Sequence, residues 1–488
     1  MKSQRFVFLS LALLSIGAAN SGNEALAQAT SPTHQVSGNP IVIGETWRIR
    51  SKRLGEEREI QVYLPASYVN SKLRYPVIYT LDGEGTGSAT ANAVQFMTGY
   101  SAIPQMPEAL VVAVTNSDRN RDMPVPQSYG KSGEENFLAF LADELVPAIE
   151  QRYRTQSLRI LLGHSQGGLF ATYALSARPA VFQWYLSMDA PLAGFPEARA
   201  IMEKVKTVVT KTPNYRGRMV TIESLYGWRK EWASLTAGAP KAFYGEQVEI
   251  KNETHETMAY KGIYEGLKIL FHDYTPNMVK EAKGIYTLPV FEQMYKELSA
   301  AYGYQVEIPK QLLLAAAAQN TGMQFGAEAV ALIRRAETVY GESAGTKRLM
   351  AEAEEAARKG RDPRLEEWAK LAPPDAERMK PFLGDWEMAS DRALESINFE
   401  VSNGVVRAKY TVAPPGVEPF QMEVQFVRVL EDQTVQWGLR NGRGAGIILR
   451  TLKLVNPNTL EGTTEPVGIQ HAPPPHAVTY KRRVNQKR

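Results

Sequence analysis

Ser165 stands in Gly163-His164-Ser165-Gln166-Gly167, a serine with a glycine two residues to either side. Before it, Leu158, Ile160, Leu161 and Leu162 make an apolar run long enough for a buried strand. After it, Leu169, Phe170, Tyr173 and Ala174 begin a helical pattern. G-x-S-x-G between a strand and a helix is the setting that makes a serine a nucleophile. The sharp turn lifts Oγ clear of the sheet and leaves no room for side chains at the flanking positions. It also aims the N–H of Gln166, at the helix start, toward the oxygen of an attacked carbonyl. A glycine-rich turn in which Ser165 merely caps the helix is the plainer reading. The strand, the helix and a further small residue at Gly168 favour the nucleophile.

A hydroxyl is too weak an acid to attack unassisted near neutral pH, so a base must stand beside it. Six histidines are available. With a nucleophile of this kind the acid and then the histidine follow in chain order, the histidine on the loop after the last strand. His255 fits: Gln247–Lys251 reads as the strand, Asn252-Glu253-Thr254 as the loop, and a helix comes next. His272 ends that helix beside Leu270 and Phe271 and reads as packed. His164 adjoins the nucleophile, where neighbouring side chains diverge. His34 falls in a polar leader, and His471 and His476 bracket a proline-rich loop.

The acid belongs after the strand Met219–Leu225, where it would hold the imidazole tautomer and stabilise the imidazolium. Glu231 is the best-placed carboxylate. Glu223, within the strand, and Asp189, after the preceding one, are alternatives, as is a dyad with no acid. A second oxyanion donor belongs to the loop after Tyr75–Leu81, which reads Asp82-Gly83-Glu84; the backbone N–H of Glu84 is the candidate.

The elements that must position these groups alternate. Strand-like stretches at Ile41–Arg50, Arg58–Leu64, Tyr75–Leu81, Leu110–Thr115, Leu158–Leu162, Gln183–Met188, Met219–Leu225 and Gln247–Lys251 are interleaved with helical patterns at 89–98, 134–152 and 256–271. That alternation predicts an α/β fold, a doubly wound and mainly parallel sheet over residues 41–274 with its ligand at the carboxyl ends of the strands. From 275 to 372 four Ala-, Leu- and Glu-rich helices near 291–301, 309–319, 327–340 and 347–359 predict a repeat-like helical spacer. After Ala372-Pro373-Pro374 the pattern switches to period two, as in Ile397-Phe399-Val401 and Val406-Ala408-Tyr410. Residues 373–488 therefore predict a small antiparallel β-barrel or sandwich. Gly384-Asp385-Trp386 near its start and Tyr480-Lys481-Arg482-Arg483 near its end resemble the opening Trp and late Arg of lipocalin-like barrels.

Composition bounds the rest. The 488 residues are 44% hydrophobic and 22% charged with a formal net charge of +4, ordinary for globular domains and no invitation to nucleic acid or an anionic membrane. Lys2 and Arg5, the apolar stretch Phe6–Ile16 and Ala25-Leu26-Ala27 predict a signal peptide over residues 1–27, with a flexible leader over 28–40. The expected location is periplasmic or secreted, with no membrane anchor. There is no cysteine, which excludes disulfides, thiol catalysis and thiolate metal sites. No His pair has i, i+4 spacing, so neither metal nor cofactor is expected.

Several blocks together resemble the putative-esterase family of α/β-hydrolases, whose relatives include enterochelin (siderophore) esterases, S-formylglutathione hydrolases and mycolyltransferases. They are LGEEREIQVYLPASY, RYPVIYTLDGEG, VTNSDRNRDMPVP, NFLAFLADELVPAIEQRYRT, GHSQGGLFATYAL and NETHETMAYKGIYEGLKILF, within residues 41–271. The resemblance implies an α/β-hydrolase fold and a serine carboxylesterase acting on a small-molecule ester, with Ser165 as nucleophile, His255 as base, and Glu84 and Gln166 as oxyanion donors. An anionic siderophore substrate would favour an arginine cluster, for which Arg119, Arg121 and Arg229 are candidates. A siderophore-type esterase, an acyltransferase on the same site, and a non-catalytic binding protein on a hydrolase scaffold are the competing expectations.

Overall fold

The computed structural model describes residues 42–100, 103–126, 132–213, 215–224, 227–275, 286–368, 370–390, 393–431, 433–440, 446–469 and 473–483. The expected signal peptide and leader, His34, His471 and the final Lys487-Arg488 lie outside these residues.

Eight strands form the first sheet: β1 Glu45–Arg50, β2 Glu57–Tyr63, β3 Tyr75–Leu81, β4 Leu110–Val114, β5 Thr155–His164, β6 Trp184–Met188, β7 Gly217–Glu223 and β8 Phe243–Glu249. Their spatial order is β1-β2-β4-β3-β5-β6-β7-β8. β2 pairs antiparallel with both β1 and β4, and from β4 to β8 every pairing is parallel. β3, β4, β6 and β7 are buried over their whole length, which explains their largely apolar sequences: a parallel sheet is covered on both faces. Helices α1 (Gly83–Gly99) and α8 (His255–Leu270) cover one face through Val94, Met97, Ile263 and Leu267. On the other lie α5 (Gln166–Ala177) and α6 (Pro196–Lys211), with Phe170, Leu175, Ile201 and Val205 against the sheet. A short turn of helix, α2 (Arg119–Asp122), follows β4.

The helix expected over 134–152 is interrupted. α3 (Glu134–Phe140) passes through a π turn at Leu141–Leu145 into α4 (Val146–Arg152). Pro147 has no N–H to offer an α-helical bond, and the wider turn accommodates it. Two helices fall where the sequence reading placed none, α6 and α7 (Arg229–Thr236).

Helices Leu288–Tyr302, Lys310–Gly322, Gly326–Tyr340 and Ala344–Lys359 follow. They dock at the amino ends of the strands. Arg218, at the start of β7, donates to both oxygens of Asp273 (2.6 and 2.9 Å) and to the Leu270 carbonyl (2.6 Å), and the Tyr302 hydroxyl donates to the same carboxylate (2.7 Å). Trp184, Phe271, Tyr274 and Tyr302 are buried together there. Among the described residues no helix is long and apolar enough to cross a membrane.

Nine antiparallel strands between Gly384 and Arg482 make the second sheet, a nearly closed barrel. Trp386 is fully buried, its indole N–H donating to the Phe382 carbonyl (2.7 Å), and the Arg482 guanidinium lies 4.2 Å over its ring.

Candidate active site

The strand–helix turn after β5 is as tight as the glycines require. Ser165 has φ 58° and ψ −121°, a conformation rare for any residue with a side chain and concentrated at functional sites. Its N–H donates to the Met188 carbonyl at the end of β6 (2.8 Å), and its own carbonyl accepts the first helical bond from Leu169 (3.0 Å). A Cβ on Gly163 would stand 2.3 Å from the Gly167 backbone, so only glycine fits. The amides of Gln166, Gly167 and Gly168 precede the first helical bond and belong to the unpaired donors of a helix start.

The turn after β3 has the same character. Asp82 is left-handed, with φ 56° and ψ 46°, and its carbonyl accepts from Gly85 and Thr86. The Glu84 amide therefore also precedes the first helical bond of its helix. A Cβ on Gly83 would lie 2.9 Å from the β4 backbone. The exposed carboxylate of Glu84 accepts from the Asn116 N–H (2.6 Å), while the Asn116 side chain donates to Asp82 Oδ1 (2.8 Å).

His255 is the first residue of α8. Thr254 caps this helix in a reciprocal box with Thr257, a signal present in the sequence that fixes where the imidazole emerges. His255 Nδ1 lies 3.5 Å from Asp189 Oδ2. Asp189 follows β6 directly, is fully buried and has φ 43°. Its Oδ1 accepts from the Ser224 N–H (2.6 Å), and its Oδ2 accepts from the Ser224 hydroxyl. The carboxylate at His255 is thus Asp189 and not Glu231. Glu231 sits in the first turn of α7 and lines a surface depression with Arg199, Lys206 and Ser234. The segment after β7 that was expected to present an acid in a loop instead coils into a helix. Glu223, the other alternative, is buried with its oxygens turned to the Trp228 N–H (2.9 Å) and the Gln247 side chain (2.6 Å). Burial pushes its carboxyl up from the ordinary range.

His164 belongs to the site, contrary to the expectation that elbow neighbours diverge. Its ring centroid is 4.5 Å from that of His255, so the elbow and the start of α8 meet through the two imidazoles. Burial, and after it the neighbouring His255, lower the His164 pKa. His164, Asp189 and His255 each place one possible metal-ligand atom within 4.8 Å of the others. Of the arginines considered for an anionic substrate, Arg121 is engaged by Glu56 and Asp122, and the Arg229 side chain lies outside the description.

Comparison with known proteins places this geometry. The family model described as putative esterase matches residues 51–258, within the α/β part, and the helical and barrel segments lie beyond the match. The chain is 28% identical over 183 residues to the ferri-bacillibactin esterase BesA of Bacillus subtilis, covering 33% of this chain and 63% of that protein. It is likewise 28% identical over 195 residues to the siderophore triacetylfusarinine C esterase of Aspergillus fumigatus, covering 36% and 66%. In each case the match spans just under two thirds of the relative. An IroE-like serine hydrolase from Shewanella oneidensis superposes with a TM-score of 0.51 at 27% identity, covering 60% of this chain and 99% of that one.

Proposed function

We propose that this chain is an exported carboxylic-ester hydrolase working through an acyl-enzyme on Ser165. The observation that carries the reading is the buried Asp189 carboxylate held by Ser224 against His255, whose ring meets the elbow that bears Ser165. In this reading Ser165 Oγ attacks the ester carbonyl as His255 takes its proton, and Asp189 holds the imidazole with its proton on Nδ1. The tetrahedral oxyanion receives the N–H groups of Gln166 and Glu84. His255 then returns the proton to the leaving alcohol. Water, activated by the same imidazole, releases the acid and restores the serine. Glu231 has no part in it.

The relatives' names direct the substrate proposal to siderophore-type esters. The test is hydrolysis of p-nitrophenyl esters from acetate to laurate by wild type and Ser165→Ala, with fluorophosphonate labelling in parallel. Turnover and labelling by the wild type, and a loss of about 10⁴-fold or more in the variant, are expected. An unlabelled Ser165 with no turnover on any ester removes the reading and favours a binding protein on a hydrolase scaffold.

A further inference from the structure

The side chain of Arg119 makes an unusual set of contacts for a residue one-third exposed. Its Nε donates to Asp82 Oδ1 (2.6 Å) and its Nη2 to Asp82 Oδ2 (3.1 Å), a two-pronged pair. Nη2 also reaches the His164 carbonyl (3.3 Å), and Nη1 donates to the side-chain oxygen of Gln166. Four of its five N–H bonds are committed, a pattern only a planar guanidinium can make. Asp82 follows β3, while His164 and Gln166 bracket Ser165 at the end of β5. The arginine therefore ties together the two turns that carry the Glu84 and Gln166 amides. The Asp82 carboxylate is itself pressed onto the elbow: a Cβ on Gly167 would come within 3.1 Å of its Oδ2.

Arg119 is in turn held from behind. Asp118 caps α2 by accepting from the Arg121 N–H (3.1 Å). Asp122 pairs with Arg58, both fully buried, and Arg121 spans to Glu56 (2.8 Å). The guanidinium is thus mounted on a braced turn rather than on a free loop.

We propose that Arg119 is a positioning residue that sets the spacing of the oxyanion hole by clamping the Asp82 turn to the Ser165 elbow, an inference that rests on the ester-hydrolase reading above. The two amides come from separate strand ends, and the Asp82 turn is left-handed, a conformation its surroundings must enforce. Without the clamp the Glu84 amide drifts from the position fixed relative to Gln166, and stabilisation by preorganised donors falls off with small displacements. The arginine acts in the transition state, where charge sits on the oxyanion, and much less on the bound ester.

The experiment compares wild type, Arg119→Gln, Asp82→Asn and the double variant, with thermal melts to establish folding. The readouts are kcat and KM on p-nitrophenyl butyrate, and the affinity of an alkyl trifluoromethyl ketone, whose hemiketal oxygen occupies the hole. The expectation for Arg119→Gln is a fall of about 10- to 100-fold in kcat, less than outright removal of a donor, with KM within about 3-fold. Affinity for the ketone should fall by the same factor as kcat, and the double variant should be no worse than the worse single. A folded Arg119→Gln with kcat and ketone affinity within about 3-fold of wild type, on the scale just given, overturns the clamp while leaving the hydrolase standing. So does additive loss in the double variant. A wild type that neither turns over nor labels at Ser165 overturns both. Should Arg119→Gln fail to fold, Arg119→Lys, which keeps the charge without the fork, decides on the same criteria.

Discussion

Replacing Asp189 by asparagine changes one atom and, by the geometry of its pocket, should reverse the tautomer of His255. The backbone N–H of Ser224 points at Oδ1 from 2.6 Å. That position must hold an acceptor, so the asparagine oxygen stays there and the amide nitrogen takes the place of Oδ2, 3.5 Å from His255 Nδ1. An N–H facing Nδ1 favours the imidazole with its proton on the other nitrogen, where it cannot accept the proton of Ser165. Asp189 is fully buried, so water cannot take over the role. Mis-set tautomers of this kind lower kcat by about 10⁴ in serine enzymes with an acid–base pair, or about 5.5 kcal/mol. The longer separation here sets the expectation at about 10³–10⁴. Stopped-flow or steady-state hydrolysis of p-nitrophenyl butyrate at saturating substrate reads it directly, with circular dichroism as the folding control. Glu231→Gln in parallel should stay within about 2-fold, as a surface substitution away from the site. If the asparagine variant keeps at least a third of wild-type kcat, or Glu231→Gln loses as much as it does, the assignment of the acid to Asp189 is wrong.

Glycine substitutions separate the elbow from ordinary helix. Gly163→Ala would force a Cβ to 2.3 Å from the Gly167 backbone and should cost about 3 kcal/mol or more in chemical denaturation. Gly85→Ala, in the first turn of α1 with no atom within 4 Å of the new carbon, should add up to about 1 kcal/mol. The Glu56 carboxyl is held down to about 2, chiefly by its hydrogen bond to Arg121. Its folded pKa lies below the ordinary 4.5, so the unfolded chain binds more protons between these values and stability there rises with pH. The contribution is full above pH 4.5 and gone below pH 2; discounted for solvent screening at this partly exposed pair it is about 1 kcal/mol. Urea melts of Glu56→Gln should show that loss at pH 7 and a flatter curve across this window; an unchanged acid limb would refute it.

Much of this was legible in the residues, for physical reasons that also explain what was not. The elbow announced itself because close backbone contact at Gly163 admits no other residue, and that constraint is written as sequence. The placement of His255 at the start of α8 was readable because a strand and a short loop precede it. The barrel followed from its period of two. The acid could not be ranked in the same way. Asp189, Glu223 and Glu231 are equivalent letters near strand ends. What separates them is the Ser224 amide and hydroxyl converging on Asp189, together with a backbone turn to positive φ, neither of which has a local sequence pattern. Glu231 was misplaced because 229–236 coils into a helix whose short, mixed sequence has little periodicity to read. His164 was set aside on the general divergence of adjacent side chains, but the strained Ser165 backbone and the return of α8 bring the two imidazoles together. Arg119 carried a readable charge and an unreadable set of partners.

The helices beyond residue 286 grip the sheet at the strand starts, where Arg218, Trp184, Phe271, Tyr274 and Tyr302 lock together. Ser165, Asp189 and His255 sit at the opposite rim, one strand length away, roughly 20 Å for a seven-residue strand. These helices therefore form a pedestal under the sheet and not a lid over that rim. Cutting the chain after Thr275 would strip these helices away and leave Trp184, Phe271, Tyr274 and the buried Arg218 facing water.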